Sequence, residues 1–474
     1  MPDNQRSRRI LLCGIGPLPV SNPDRLYAPG LRVWGFARAI LAAGCTVDLL
    51  EVRFGKDTVA GTGARFHRLR LDTAKIETTT EDLPSAPPPE LVARVLAASS
   101  YDAMVSTTDV MNDACALQKG DIPFWCDFNG HPMAERQSLA ACYGSDEGIA
   151  DQWDMILPSL LRGDRFSTCS DAERLALIGE LGACGRLNRL TDGCDGVVSL
   201  PPAAVFAEFL TSTRNVLRPH IVPNDAFVVL WTGGYNTWSD PDTLAKGLVD
   251  AMQRESRIHY VSTGGAIEGH DDRTFARFKA AIESSSVRDR CHFVGWVATQ
   301  DVSAYYRESD VAVNCDRRTL DGELGFRNRI LDWVSAGLPV VTTDLCELTH
   351  DLSGRGLIDT FEIGDAQGLA DCLVRLAHGQ REALRERAAR GREYILDRHC
   401  PERIYASLVA WVCAPERAPD LVASGARISG VPFAFPDNPL ARRRAAEWLS
   451  MRMKKTISKG LVGRMKRFFA RFES

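Results

Sequence analysis

No apolar run in the chain reaches the ~18 residues that a membrane-crossing helix needs. Met1–Arg9 is polar and leads into no apolar leader segment. The expectation is a protein neither exported by a signal peptide nor anchored by a span, and so cytoplasmic. Among fourteen cysteines no Cys-x-x-Cys pair occurs, which removes the commonest zinc and dithiol patterns. Cys13, Cys45, Cys291 and Cys315 sit in or beside apolar runs, where a thiol behaves as a small hydrophobe. Reduced core cysteines are therefore expected, not a disulfide framework. No repeat with a period of about 20–50 residues is found.

What is present is ordinary for a soluble enzyme: 45% hydrophobic and 25% charged residues. The 474 residues exceed what one core of roughly 250–300 can hold. The net charge of −4 hides an asymmetry, because residues 440–474 carry 11 Lys and Arg against 2 Glu and leave −13 on the rest. An acidic body argues against general nucleic-acid binding. In the tail, Ile457, Leu461, Met465, Phe468 and Phe472 fall at helical spacing among the cations. That pattern predicts a basic amphipathic helix, either docked on an anionic membrane surface or packed on the acidic body or a partner.

Two series of short apolar runs alternate with helical stretches. The first has strands predicted over 10–13, 46–52, 103–106, 123–127 and 165–169, with a helix over 31–43. The second has strands over 226–231, 258–262, 292–294, 311–314 and 339–343, each ending at a Gly or polar loop. Near-continuous apolar strands separated by helices imply parallel sheets covered on both faces. The expected fold is α/β, with two doubly wound, Rossmann-like domains facing a cleft. The boundaries are 1–215, 216–395, a closing helix over 396–415, and a linker and tail over 416–474.

The densest chemical constellation runs from Asp321 to Asp332 and continues through Trp333 to Val341. Leu331, Val334 and Leu338 predict a helix, so Arg327 and Arg329 fall at its first turn. Free N–H groups, a positive dipole end and two arginines suit a phosphate. Alternatively, the arginines pair with Asp321, Glu323 and Asp332 in a solvated loop. Asp240-Pro241-Asp242 reads as a helix N-cap.

Phe293-Val-Gly-Trp-Val, Tyr305-Tyr-Arg-Glu-Ser-Asp-Val-Ala-Val, the Glu323 loop and Ser335-Ala-Gly-Leu-Pro-Val-Val occur in this order. This set resembles the retaining GT-B glycosyltransferases (glycosyl transferases group 1), including bacterial lipopolysaccharide and exopolysaccharide transferases. The resemblance covers roughly residues 227–373, and only loosely the first half. It implies a hexosyltransferase-type enzyme that uses a nucleotide-sugar as co-substrate and needs no metal or other cofactor.

The family's two spaced glutamates fall here on Leu324, with Glu323 one place before it, and on Asp332. By resemblance, Glu323 faces the donor sugar, Asp332 the ribose, and Arg327 and Arg329 the diphosphate, with Phe326 and Asn328 beside them. The loop after the first strand of the second series lacks the family's Arg and Lys. Gly233 and Gly234 remain for a phosphate, Asn236 lies in the same loop, and Tyr235 and Trp238 either wall the donor or pack between domains. Gly295 and Trp296 lie where the family binds the base.

In the first half, Gly14 and Gly16 resemble the first acceptor loop. The run Trp125–Gln137 gathers Asp127, Asn129, His131 and Glu135 after a strand. It reads either as an acceptor site, with Asp127 or His131 taking the acceptor proton, or as a turn and helix start. Asp164 and Ser170 are read as structural. The expected reaction is sugar transfer to a saccharide, lipid-linked acceptor in surface polysaccharide synthesis, on the inner leaflet. A GT-B epimerase or a non-catalytic scaffold are the rival readings.

Overall fold

The computed structural model describes residues 7–22, 27–54, 62–72, 75–204, 212–267 and 269–423. The basic stripe of residues 440–474 lies outside them. The first sheet contains β1 (Arg9–Ile15), β2 (Thr46–Phe54), β3 (Thr62–Asp72), β4 (Lys75–Leu83), β5 (Ala103–Thr107), β6 (Phe124–Asp127), β7 (Arg165–Thr168) and β8 (Val197–Ser199). Their order is β4-β3-β2-β1-β5-β6-β7-β8. The second sheet contains β9 (Phe227–Thr232), β10 (Ile258–Thr263), β11 (Cys291–Gly295), β12 (Val311–Asn314), β13 (Val340–Thr343) and β14 (Asp359–Phe361). It is parallel throughout, in the order β11-β10-β9-β12-β13-β14.

The central strands are apolar because both faces are covered. Ile10 and Leu12 of β1 face one core and Leu11 and Cys13 the other, and all four are fully buried. The second sheet divides its side chains in the same way between two cores. Helix starts follow local chemistry. Asp240 accepts the N–H of Thr243 ahead of Pro241, and Ser170 accepts that of Glu173.

One part differs from the sequence expectation. The first sheet is not parallel to its edge: β3 pairs antiparallel with β2, and β4 with β3. β4 reads Lys-Ile-Glu-Thr-Thr-Thr-Glu-Asp-Leu and is almost wholly exposed, so it shows no apolar run to detect. Charge on such a strand also blunts an open edge.

After the helix Arg381–Arg398, which packs on the second domain, the chain crosses back to the first. Tyr405, Leu408 and Val412 enter the first domain's core, and the Trp411 ring lies 5.5 Å from that of Trp125. A Cβ at Gly35 would stand 2.4 Å from the Tyr405 hydroxyl, so that helix surface admits only glycine there. All fourteen cysteines are free thiols. Among the described residues no helix is long and apolar enough to cross a membrane.

Candidate functional site

In both sheets the strand order reverses beside the first strand, at β1/β5 and at β9/β12. Loops leaving such a switch point diverge and open a crevice, the general ligand position in open α/β sheets. The two crevices face each other. Ser170 Oγ donates to the Leu324 carbonyl at 2.5 Å, and Tyr143 Oη to Asp272 at 3.0 Å, joining the domains across the cleft.

The loop after β9 and the loop after β12 are stitched together. Ser239 bridges Asp316, Asp240 N–H donates to the Cys315 carbonyl at 2.8 Å, and Arg317 N–H to the Trp238 carbonyl at 2.9 Å. Gly264 has φ 110°, and a Cβ there would lie 2.2 Å from the Gly233 carbonyl oxygen. This close backbone approach explains the Gly pairs after β9 and β10.

Arg327 and Arg329 enter this crevice ahead of and within the first turn of the helix Asn328–Ser335. Arg327 is buried, its Nε donates to Asp316 Oδ2 at 2.6 Å, and its guanidinium lies 4.9 Å from the Trp238 ring centre. Burial is the largest influence and disfavours the Arg327 charge, but Asp316, Cys346 and Asp321 together outweigh it and hold the group above its ordinary range. Among the described residues Arg329 pairs with no carboxylate. Its Nη2 donates to the Gly234 carbonyl at 2.5 Å and its guanidinium lies over Trp231 at 4.4 Å. Burial lowers it to about 10. One nitrogen of each arginine, Nη2 of Arg327 and Nη1 of Arg329, is buried without a partner among the described residues. One turn on, burial alone pushes Asp332 up to about 8.

The short helix Leu320–Leu324 packs against the first domain's helices Pro132–Tyr143 and Asp171–Ala183. Glu323 points outward and pairs with Arg318 at 3.2 Å, its side chain 39% exposed. Asp321 is the acid turned inward: it is buried, its Oδ2 has no partner, and it rises to about 6 through burial, with Arg327 opposing. The sequence reading assigned the donor sugar to Glu323 and missed Asp321 and Asp316. Their signal was position within the loop, which spacing alone does not resolve.

Several expected site residues serve the fold instead. Tyr235 is fully buried, with its hydroxyl bonded to Tyr260 at 2.6 Å and Ser262 at 2.8 Å, so it cannot wall a donor. Asp127 is also fully buried, bidentate with Arg32 at 2.6 and 3.0 Å and accepting from Ser167 at 2.6 Å. Both oxygens are engaged, and the expected acceptor-proton role does not fit. His131 caps the helix Pro132–Tyr143, its Nδ1 accepting Ala134 N–H at 3.2 Å, which leaves Nε2 as the protonated nitrogen 3.4 Å from Glu180. Burial lowers the His131 pKa. Gly14 and Gly16 are packing glycines: a Cβ would strike Val33 at 2.1 Å and Glu51 at 2.0 Å.

Other expectations stay at the cleft. Asn236 Oδ1 accepts from His270 Nε2 at 2.8 Å, and that nitrogen lies 3.6 Å from Glu135. Glu135 has a side chain 42% exposed. Partial burial, then Asp321 and Asp109, push its pKa up. Asn129, Asn328 and Phe326 are part-buried, the Phe326 ring centre 5.6 Å from that of His399. Gly295 has φ 81°, and Trp296 is exposed, its indole edge-on to Tyr27 at 6.1 Å. Among the described residues no three His, Cys, Asp or Glu side chains converge to hold a metal ion.

Residues 226–378 match the family model described as Glycosyl transferases group 1. A stretch of 114 residues is 29% identical to the amylovoran biosynthesis glycosyltransferase AmsK of Erwinia amylovora, covering 23% of this chain and 27% of that protein. The chain thus matches about a quarter of that relative's length. The fold resembles sucrose-phosphate synthase from Thermosynechococcus elongatus, with a TM-score of 0.65 at 15% identity over 86% of this chain and all of that one. It also resembles Anabaena HepE, solved with UDP and glucose, with a TM-score of 0.58 at 13% identity over 86% of this chain and 100% of that one. At such identities the likeness is one of fold. The chain has the two-domain GT-B fold, and residues 226–378 are similar to the glycosyl transferases group 1 model.

Proposed function

We propose that the chain is a glycosyltransferase that moves a sugar from a nucleotide-sugar donor to a saccharide acceptor with retention of configuration. The observation that carries this reading is the pair of buried, unpartnered guanidinium nitrogens on Arg327 and Arg329 at the β9/β12 crevice. Unpaired buried donors cost about 1–3 kcal/mol each, and an anionic oxygen removes that cost.

The two arginines divide the work. Arg327, already neutralised by Asp316, shapes the loop and offers one N–H. Arg329 supplies the uncompensated positive charge and stabilises the diphosphate as the bond from the sugar's anomeric carbon to oxygen breaks. The electron pair leaves with the phosphate, the acceptor oxygen bonds the anomeric carbon, and the acceptor proton passes to the departing phosphate. Asp332 accepts from the ribose and Asp321 from the donor sugar, replacing Glu323 in that role. Arg327 and Arg329 stabilise the leaving diphosphate without a metal ion. The lipid-linked acceptor, the surface-polysaccharide role and the membrane surface rest on the basic stripe of residues 440–474.

The test is release of nucleoside diphosphate from a panel of UDP-, GDP-, ADP- and dTDP-sugars with polyprenyl-phosphate-linked saccharides. One donor should be consumed, and Arg329→Ala should lower kcat/KM by about 10–100-fold, as loss of a charge-assisted bond does. Consumption of no donor, or full activity in Arg329→Ala, contradicts the proposal.

A further inference from the structure

The second domain carries a cavity at the edge of its sheet remote from the β9/β12 crevice. Asp310 and Pro339, which line it, immediately precede β12 and β13, whereas the crevice opens at the carboxyl ends of β9 and β12. The helix Asn328–Ser335 spans the two places: Arg327 and Arg329 stand at its start, and Ser335 at its end lines the cavity. The cavity holds about 440 Å³, room for a small ligand.

Its charge is lopsided. Arg307, Arg381, Arg385 and Arg392 line it, and Asp310 is the one acid among the described lining residues. Their positions put Arg381, Arg385 and Arg392 on one face of the helix Arg381–Arg398. Asp310 is already occupied: it takes Arg218 Nη2 at 3.0 Å, Arg381 Nε at 3.1 Å and the Val228 N–H at 2.8 Å. Glu308 accepts the N–H groups of Val216, Leu217 and Arg218 and comes only within 4.0 Å of Arg307. Carbonyls hold two of the other arginines, Ser212 taking Arg307 Nη1 at 2.8 Å and Ser335 taking Arg392 Nε at 3.1 Å. No hydrogen bond or ion pair engages Arg385 among the described residues. Carbonyl bonds fix a guanidinium without neutralising it, so the cavity keeps an excess of positive charge. Several guanidinium forks around one void suit an anion of more than one charge, phosphate above all.

We propose that this cavity binds a phosphate-bearing anion, as a free oligophosphate or bisphosphate or as a lipid headgroup, at a site separate from the β9/β12 crevice. The inference does not depend on the glycosyltransferase reading. The four arginines are exposed, so binding weakens as salt rises.

The test uses the full chain with Arg329→Ala, which disables the crevice, alone and combined with Arg385→Ala and Arg392→Ala. Calorimetry titrates inorganic pyrophosphate and a hexose bisphosphate; co-sedimentation titrates vesicles of phosphatidylglycerol in phosphatidylcholine. At least one probe should bind, and the two added substitutions should weaken it by about ten-fold or more, as loss of charge-assisted bonds does. Arg385→Ala added alone breaks no bond of the protein and should already weaken binding several-fold, which keeps the test independent of folding. Weakening confined to the soluble probes assigns a free anion, and weakening confined to vesicles assigns a headgroup. Binding of no probe, or affinities unchanged by the substitutions, overturns the proposal.

Discussion

Arg327 and Asp316 form a buried pair, Nε to Oδ2 at 2.6 Å, which commits one of the loop's two arginines to the protein's own charge. Breaking a buried pair by removing one partner costs roughly 3–5 kcal/mol, because the other charge stays buried. Asp316→Ala and Arg327→Ala should therefore both lower the denaturant midpoint, whereas Arg329→Ala should leave it nearly unchanged. Equal destabilisation by all three would remove the division of labour between the arginines.

The Arg32–Asp127 pair makes a related prediction in the first domain. Arg32 also donates to the Leu200 carbonyl at 2.6 Å, so the pair ties the first helix to the ends of β6 and β8. Asp127→Ala should destabilise by roughly 3–5 kcal/mol, as removal of a buried partner does. A variant that folds with wild-type stability yet has lost all activity would restore the acceptor-base role expected from sequence.

Closure of the cleft should depend on pH. Glu135 is raised by partial burial and by Asp321 across the domain interface, and Asp321 itself is raised by burial to about 6. Opening relieves both causes, so the closed form binds these protons more tightly than the open form. Closure is then favoured at low pH, where both groups are protonated, and lost progressively as pH rises from the ordinary carboxylate range through about 6 and beyond. Small-angle scattering should show an increasing radius of gyration between about pH 4 and 8, and Glu135→Gln should flatten the upper part of that change. A radius independent of pH contradicts this.

Ten of the parallel strands were visible because they are apolar runs ending at a loop, as in Phe227–Thr232 before Gly233, whereas the three-residue edge strands β8 and β14 are too short to show one. The β3–β4 edge was hidden because one face is solvated and its residues are charged and threonine-rich. The Arg327–Arg329 loop was legible because a helix start and two cations are local features. Asp127 was misread because its partner, Arg32, lies 95 residues away, and no local pattern announces an ion pair formed across a sheet edge. Tyr235 failed for the same reason: its stacking on Trp231 at 4.4 Å and its bond to Tyr260 belong to the packed core. Asp321 and Glu323 differ only in which side of one helical turn they occupy, and the first domain's surface decides which is inward.

The measurement that bears most directly on the central claim is a thermal-shift and calorimetric titration with UDP, GDP, ADP, CMP and dTDP, on wild type and Arg329→Ala. Ligand at about 100 Kd adds about 2.7 kcal/mol of stability, a readily seen shift. The account predicts a clear shift with one nucleoside diphosphate, without added metal, and its near loss in Arg329→Ala. No shift with any nucleotide, or an undiminished shift in Arg329→Ala, would contradict it.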